Sequence, residues 1–509
     1  MRSSLIGVSI AALLAVTACD KGPTLLGDEA ADSVQPNEVS PDQLRSAVSD
    51  QRVRKFYAAR DWKAAWNEDQ ARELTEALRE APRHGLEAVK FLREGDAAKS
   101  PAEREAALTL AALSYASALA NGQVDPHKVW KIYSVPMPKV DIEKGLAEAI
   151  GKGDVGPWLA GLAPQDAEYR ALSDAFVRYS QGAKGATRPI PAGRAIKPGS
   201  SDPRFPQIVE ALKANNYVQG DLPPDKTPQL YRPQLVAAVK QLQQDYGQDA
   251  DGVIGKTTLE ALNAGAAERA RTLALNLERR RWLERNPPRT RIDVNTAAAF
   301  LNYWRDGASV DTRRVVVGQT GWETPALGSP IMRLVANPPW NVPESIEQDE
   351  LMAKGAAYLA RNNFSRKDGR LVQAAGPDAA LGLVKFDMDN PHAIYLHDTP
   401  AKALFATNER HSSHGCVRVH NAVQFARLLA QHDGKLAEFD KALASGKESS
   451  IELGAKIPVR LLYHTAYVEN GRVLFRPDPY GWDEDLARQL GMQPGNRRVV
   501  RTHISVAGP

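Results

Sequence analysis

Tyr395-Leu396-His397-Asp398-Thr399, followed sixteen residues after His397 by Ser413-His414-Gly415-Cys416-Val417-Arg418, is the stretch on which the reading of this 509-residue chain turns. Cys416 is one of two cysteines, and the other, Cys19, lies near the N-terminus. A thiol with imidazoles on both sides in sequence is a candidate nucleophile, because attack requires the thiolate and a neighbouring base or cation supplies it. His397 is read as that base and Cys416 as the nucleophile. Ala393-Ile-Tyr-Leu396 is β-branched or aromatic, with Asn390-Pro391 before it and Thr399-Pro400 after it, so Tyr395 to Thr399 reads as a strand end. Ser413-His-Gly-Cys begins a second short segment. Gly415 lets the backbone come close to a carbonyl, and the amides of Gly415 and Cys416 are candidates for an oxyanion hole. Arg418, two residues beyond the thiol, falls on the same strand face and suits a carboxylate.

Six of the ten histidines lie between His392 and His432, so His411-x-x-His414-x-Cys416 also has the look of a zinc site. The Gly415-Cys416 pair and Arg418 would have no task there, and no metal or other cofactor is assigned. A buried structural thiol is the default for an isolated cysteine, but the surrounding motif favours the nucleophile.

Residues 395–421 resemble the signature of the L,D-transpeptidases of peptidoglycan: a histidine well upstream of Ser/Thr-His-Gly-Cys, then Arg and Asn, here His397, Ser413, His414, Gly415, Cys416, Arg418 and Asn421. The resemblance implies that the residue after the base, here Asp398 where glycine or serine is usual, orients the imidazole, often through its backbone carbonyl. It implies that His414 positions the thiol or the oxyanion loop, and that Arg418, Tyr395, Ser413, Asn421 and Trp340 border the substrate. Trp340 has a second reading, as an anchor of its segment to the core, because tryptophan is usually buried. The implied chemistry is acyl transfer. Cys416 takes the third residue of a donor tetrapeptide stem, D-Ala leaves, and a second stem's side-chain amine takes the thioester to give a 3→3 cross-link. An L,D-carboxypeptidase or an anchor-protein ligase would use the same thioester, and a non-catalytic wall-binding lipoprotein remains as an alternative. The family also implies acylation of Cys416 by carbapenems.

Residues 1–18 read as a secretory signal, with Arg2 before the apolar run Leu5 to Val16. Val16-Thr-Ala-Cys19 resembles the bacterial lipobox, which implies lipidation of Cys19; the alternative is an ordinary cleaved signal. Asp20 resembles a signal for retention in the inner membrane. An exported protein normally pairs its thiols, and two cysteines with separate chemical tasks leave none to pair. The expected location is periplasmic, with a lipid anchor, and residues 19–40 read as a flexible tether.

The chain carries 65 Lys+Arg against 61 Asp+Glu, a net charge of +4, which gives no polyelectrolyte field and no case for nucleic acid. Its 43% hydrophobic content over this length supports more than one core. The expected fold class is multidomain α + β. Residues 41–200 read as a helical scaffold domain with a linker from Gln181 to Ser201, and Ala58 to Trp66 leads into its helix over Ala71-Arg-Glu-Leu-Thr-Glu-Ala-Leu78. Residues 201–266 resemble a small helical peptidoglycan-binding module, on the run Ala238 to Asn263, with Thr257 capping its last helix. Residues 267–288 read as an amphipathic connecting helix whose Arg279, Arg280 and Arg281 are solvated or paired with acids. Residues 289–466 read as a mainly β catalytic domain, for which the resemblance implies a sandwich, with a helical capping insertion at about 340–378 and a closing strand over Val459 to Tyr467. A C-terminal segment, 467–509, follows. The implied partners are peptidoglycan stem peptides and glycan, a membrane through the N-terminal lipid, and a glycan-polymerising synthase.

Overall fold

A computed structural model describes residues 39–92, 98–182, 188–218 and 227–495. The signal, Cys19 and all of the tether before residue 39 lie outside the described residues, as does the C-terminal segment from 496. The chain divides into two units. One holds the residues up to Arg79 with Glu87–Tyr115 and Glu143–Gly156; the other holds Glu80–Leu86, Ala116–Ile142 and the chain from Pro157.

The first unit is helical. Ser40 opens the helix Pro41–Ala47 with a reciprocal capping box to Gln43, and Asp50 caps Gln51–Ala58 through the amides of Arg52 and Val53. The helical reading fails after Ala58. Asp61 and Trp62 both take positive φ, and the amides of Ala65 and Trp66 turn inward to the buried carboxylate of Glu105. Burial raises the pKa of Glu105, and the Tyr57 hydroxyl donates to it at 3.0 Å. A buried acid that collects donors outweighs the local helix propensity of this stretch.

The second unit is built round the helix Gly265–Arg281. It is not amphipathic, because residues on every side of it are buried. Its arginines are not solvated: Arg269, Arg279 and Arg281 are 0%, 2% and 1% exposed. Charges so placed must be paired. Arg279 meets Asp483 at 2.5 Å, Arg280 meets Asp166 at 2.8 Å and Glu168 at 2.7 Å, and Arg281 meets Glu278 at 2.5 Å. Arg281 also donates to the His84 carbonyl and the Tyr169 hydroxyl.

The small module consists of the helices Phe205–Ala214, Pro233–Asp245 and Lys256–Asn263, the first of which packs against this helix. Gly255, not Thr257, is the N-cap of the last one. The latter part of the expected linker is an ordered strap: Ile196 and Ile254 exchange two backbone hydrogen bonds, and Ile190 does the same with the Asn263 side chain. Tyr246 of the module stacks on Phe475, with 5.6 Å between ring centroids, and receives a hydrogen bond from Arg269 at 2.7 Å.

The catalytic region contributes strands β1 (Arg291–Asn295), β2 (Phe300–Arg305), β3 (Ala308–Gly318), β4 (Gly328–Ala336), β5 (Trp340–Asn341), β6 (Phe364–Lys367), β7 (Arg370–Gln373), β8 (Val384–Met388), β9 (Leu396–His397), β10 (His411–Ser413), β11 (Val417–Val419), β12 (Ser449–Leu462), β13 (Ala466–Glu469) and β14 (Arg472–Phe475). Nine form one mixed sheet in the order β10-β3-β11-β9-β8-β4-β12-β1-β2, and the long β3 pairs back to β2, closing the sheet on itself. The core inside combines Val294, Leu301, Val317, Leu334, Phe386, Leu396, Val417 and Leu461 with Phe425, Leu429 and Phe439 from the helices Ala422–His432 and Leu436–Ala444. Gly434, with φ of +75°, breaks that helical pair.

Two expectations need correction. The closing strand starts at Ser449, ten residues before Val459, and ends at Leu462. A register shift between Glu452 and Ile457 interrupts its alternation and hides the first half from a period-two reading. The capping insertion is also not purely helical. Around the helical turns Glu344–Arg361 it carries the antiparallel sheet β5-β7-β6, with β5 before them and the β6–β7 hairpin after them turning at Asp368-Gly369, both at positive φ.

Asp483→Ala should leave the Arg279 guanidinium buried without its acid and lower stability by about 3–5 kcal/mol, read as a drop in the urea midpoint at unchanged slope.

Candidate active site

The site rests on one strand pairing. β9 and β11 are parallel, with Leu396 opposite Val417 and His397 opposite Arg418, and the Val417 amide donates to the Tyr395 carbonyl at 3.1 Å. Alternation then sorts the side chains. Leu396, Val417 and Val419 enter the hydrophobic core, while Tyr395, His397, Cys416 and Arg418 share the opposite face. β8 extends that face, because Lys385 lies opposite His397. The Lys385 ammonium sits 4.5 Å from the centroid of the Tyr395 ring and pairs with Asp387 at 2.7 Å.

His397 is fully buried, with Nδ1 2.5 Å from the backbone carbonyl of Asp398. A carbonyl only accepts, so Nδ1 carries the proton and Nε2 is the basic nitrogen. The Asp398 carboxylate faces elsewhere: it accepts from the Leu383 amide at 3.1 Å and pairs with Lys402. Gly382 makes this packing possible, because a Cβ there would collide with that carboxylate.

Cys416 is free and 5% exposed. Its hydrogen-bonding neighbours are Tyr395, through hydroxyl and main chain, and the Ala393 carbonyl at 3.7 Å. Burial pushes the thiol up to about 11, against smaller opposing effects from Tyr395, Lys385 and Arg418. The resting sulfur is therefore a neutral thiol at pH 7. Burial also brings Arg418, 1% exposed, down to about 10, opposed by Cys416 and by Glu350 of the capping insertion.

The loop before the thiol is locked from within. The Ser413 hydroxyl donates to the Cys416 carbonyl at 2.6 Å and receives the Gly415 amide at 3.3 Å. Ser413 thus holds the loop and is 0% exposed, and the Gly415 amide expected in an oxyanion hole is engaged inside it. Gly415 has φ of +106°, a conformation that a side chain would strain. Its carbonyl accepts from the Thr324 hydroxyl at 2.8 Å, and that hydroxyl in turn accepts the Gly318 amide at 2.9 Å. His414 puts Nε2 2.5 Å from the Glu350 carboxylate, with its ring edge-on to Trp322.

Other sequence candidates fall elsewhere. Asn421 starts the helix Ala422–His432 in a left-handed conformation, exposed, with its carbonyl receiving Arg313. Trp340 is 1% exposed and joins Val342, Ile346, Leu351, Leu371 and Leu381 in the apolar cluster of the insertion, the anchoring alternative; Tyr395 packs against this cluster. Both nitrogens of His411 are taken, by Glu409 and by the Thr296 carbonyl. Sequence reasoning missed Lys385, Thr324 and Glu350. The alternation Val384-Lys385-Phe386 could have flagged the first; nothing local marks the other two.

Alkylation of Cys416 by iodoacetamide should rise continuously with pH up to about 11, the signature of a thiol with a raised pKa. A plateau between pH 5 and 8 would instead mean a preformed thiolate–imidazolium pair. Gly382→Ala should displace the Asp398 carbonyl that orients His397 and lower kcat about tenfold or more, measured as turnover at saturating substrate.

Residues 289–440 match the L,D-transpeptidase catalytic domain, residues 51–180 the scaffold domain and residues 201–262 a "Putative peptidoglycan binding domain". A protein of Haemophilus influenzae described as "Putative L,D-transpeptidase" is 36% identical over 238 residues, which covers 42% of this chain and 48% of that protein, so the match spans about half the length of this relative. The crystal structure of an L,D-transpeptidase from Stackebrandtia nassauensis matches at 15% identity over 55% of this chain and 99% of that one, with a TM-score of 0.23. That of a mutant L,D-transpeptidase from Enterococcus faecium matches at 12% identity over 34% and 50%, with a TM-score of 0.20. Structural likeness at those scores carries no weight beside the domain matches. Residues 289–440 thus match an L,D-transpeptidase catalytic domain, preceded by matches to a scaffold domain and a peptidoglycan-binding domain.

Proposed function

We propose that this chain forms 3→3 cross-links in peptidoglycan through a Cys416 thioester. The observation that carries the reading is the shared face of β9 and β11, which carries both a base with a fixed tautomer, His397 opposite Arg418, and a thiol two residues before that arginine. Substrate binding brings the carbonyl of the third stem residue to Cys416. Nε2 of His397 takes the thiol proton as sulfur attacks, which accounts for a thiol that rests neutral. His397 returns that proton to the amine of D-Ala as it leaves. The side-chain amine of a second stem's diamino acid then attacks the thioester and releases the thiol. Arg418 is the cation for a stem carboxylate, and Tyr395 shapes the donor side of the face.

The matched domains fit an extracytoplasmic enzyme that acts on the cell wall. We assign residues 1–18 as a lipoprotein signal with Cys19 as the lipid attachment point, leaving the enzyme in the periplasm on a membrane, the inner one by Asp20. Among the described residues no helix is long and apolar enough to cross a membrane. The module at 201–262 is proposed to hold glycan, a glycan-polymerising synthase to supply strands, and carbapenems to acylate Cys416 as mimics of the donor.

Purified protein, wild type and Cys416→Ala, incubated with disaccharide tetrapeptide and read by mass spectrometry, tests the reaction. The wild type should give a dimer lacking one D-Ala, and the variant none. Tripeptide in place of dimer would make water the acceptor and the protein an L,D-carboxypeptidase. His397→Ala should reduce product formation by a factor of about 10² to 10⁴.

A further inference from the structure

The capping insertion places an acid where the reaction above has no stated use for one. Glu350 lies on a π-helical turn, Glu347–Leu351, a geometry frequent at functional sites. One carboxylate oxygen, Oε1, is 2.5 Å from Nε2 of His414 in the signature loop. The other, Oε2, is buried and makes no hydrogen bond. A buried carboxylate oxygen with nothing to accept is costly and calls for an explanation. The same carboxylate acts electrostatically on Arg418, which Cys416 also influences, so acid, thiol and guanidinium lie within electrostatic reach of one another. Arg418 suits an anionic group of a stem; Glu350 offers the opposite charge.

We propose that Glu350 is the recognition residue for the acceptor in this reaction, taking the ammonium group of the second stem's diamino side chain on Oε2 while Oε1 stays on His414. The inference rests on the cross-linking function proposed above. An ammonium that hydrogen-bonds to Oε2 satisfies the buried oxygen and is charge-assisted. It transfers one proton to the carboxylate, and the freed nitrogen lone pair attacks the thioester carbonyl. The C–N bond forms and the C–S bond breaks. Sulfur leaves as thiolate and receives the second nitrogen-bound proton through His397, and Glu350 releases its own proton to solvent. Water carries no cationic group, so the same acid favours amine transfer over hydrolysis.

The test compares the full chain with its Glu350→Gln and Glu350→Asp variants on disaccharide tetrapeptide, with and without hydroxylamine, a nucleophile uncharged at neutral pH. The amide of Gln keeps a partner for His414 and removes the charge. The dimer-to-tripeptide ratio should fall about tenfold or more in Glu350→Gln, the size expected for one charged hydrogen bond, and Glu350→Asp should fall between it and the wild type. The hydroxamate-to-tripeptide ratio should not follow that fall. An unchanged dimer-to-tripeptide ratio would overturn the proposal, and so would a parallel fall of both ratios, which would make Glu350 a positioning residue acting through His414 and the insertion. Wild-type protein that yields tripeptide or hydroxamate but no dimer would refute the cross-linking function itself, and the role of Glu350 with it.

Discussion

The parallel pairing of β9 with β11 is the constraint on which the site depends. A strand alternates its side chains, so fixing Leu396 opposite Val417 commits every neighbour. The aliphatic residues go to the core and anchor the register; the polar ones have only the other face left. A slip of one residue would send His397 into the core and Leu396 out. The chemistry therefore depends on the burial of Leu396, Val417 and Val419, none of which can meet a substrate.

Around this pairing, buried polar groups hold the parts in place in proportion to how completely they are satisfied. Thr324 joins Gly318 to Gly415 by accepting from one and donating to the other, and the Tyr480 hydroxyl donates to the Gly318 carbonyl at 2.7 Å. The helix Gly265–Arg281 places guanidinium groups where water does not reach, and it meets Arg279 and Arg280 with acids from other parts of the unit and Arg281 with its own Glu278. Such pairs give little net stability compared with apolar packing, but breaking one strands a charge. They tie Asp166 and Glu168, the helix itself and Asp483 into a single arrangement. Burial of Asp478 beside Asp483 pushes its carboxyl up to about 7, a cost borne within the same cluster.

The sequence announced what local chemistry can announce. The nucleophile and base stand in a motif with a lone cysteine, and the mainly β character of residues 289–466 follows from their strand-like runs. It did not announce what depends on contacts between distant segments. Three arginines in a row read as solvated or paired with acids, and nothing local names Asp483 and Asp166 as the partners. Ala58 to Trp66 reads as helical until Glu105, some forty residues on, takes its amides. Asp398 matters to the imidazole through its carbonyl, which every residue has, so its unusual side chain was a poor guide. Glu350 is one acid among 61 Asp and Glu residues, and only the fold brings it to His414.

Capture of the intermediate tests the central claim most directly. The protein would be mixed with disaccharide tetrapeptide, quenched in acid within the first turnover, digested, and the peptide carrying Cys416 weighed. The account predicts a thioester on Cys416 with the mass of the donor less D-Ala, removed by hydroxylamine and absent from His397→Ala on the same timescale. Product release with no adduct on Cys416, or an adduct on another residue, would contradict it.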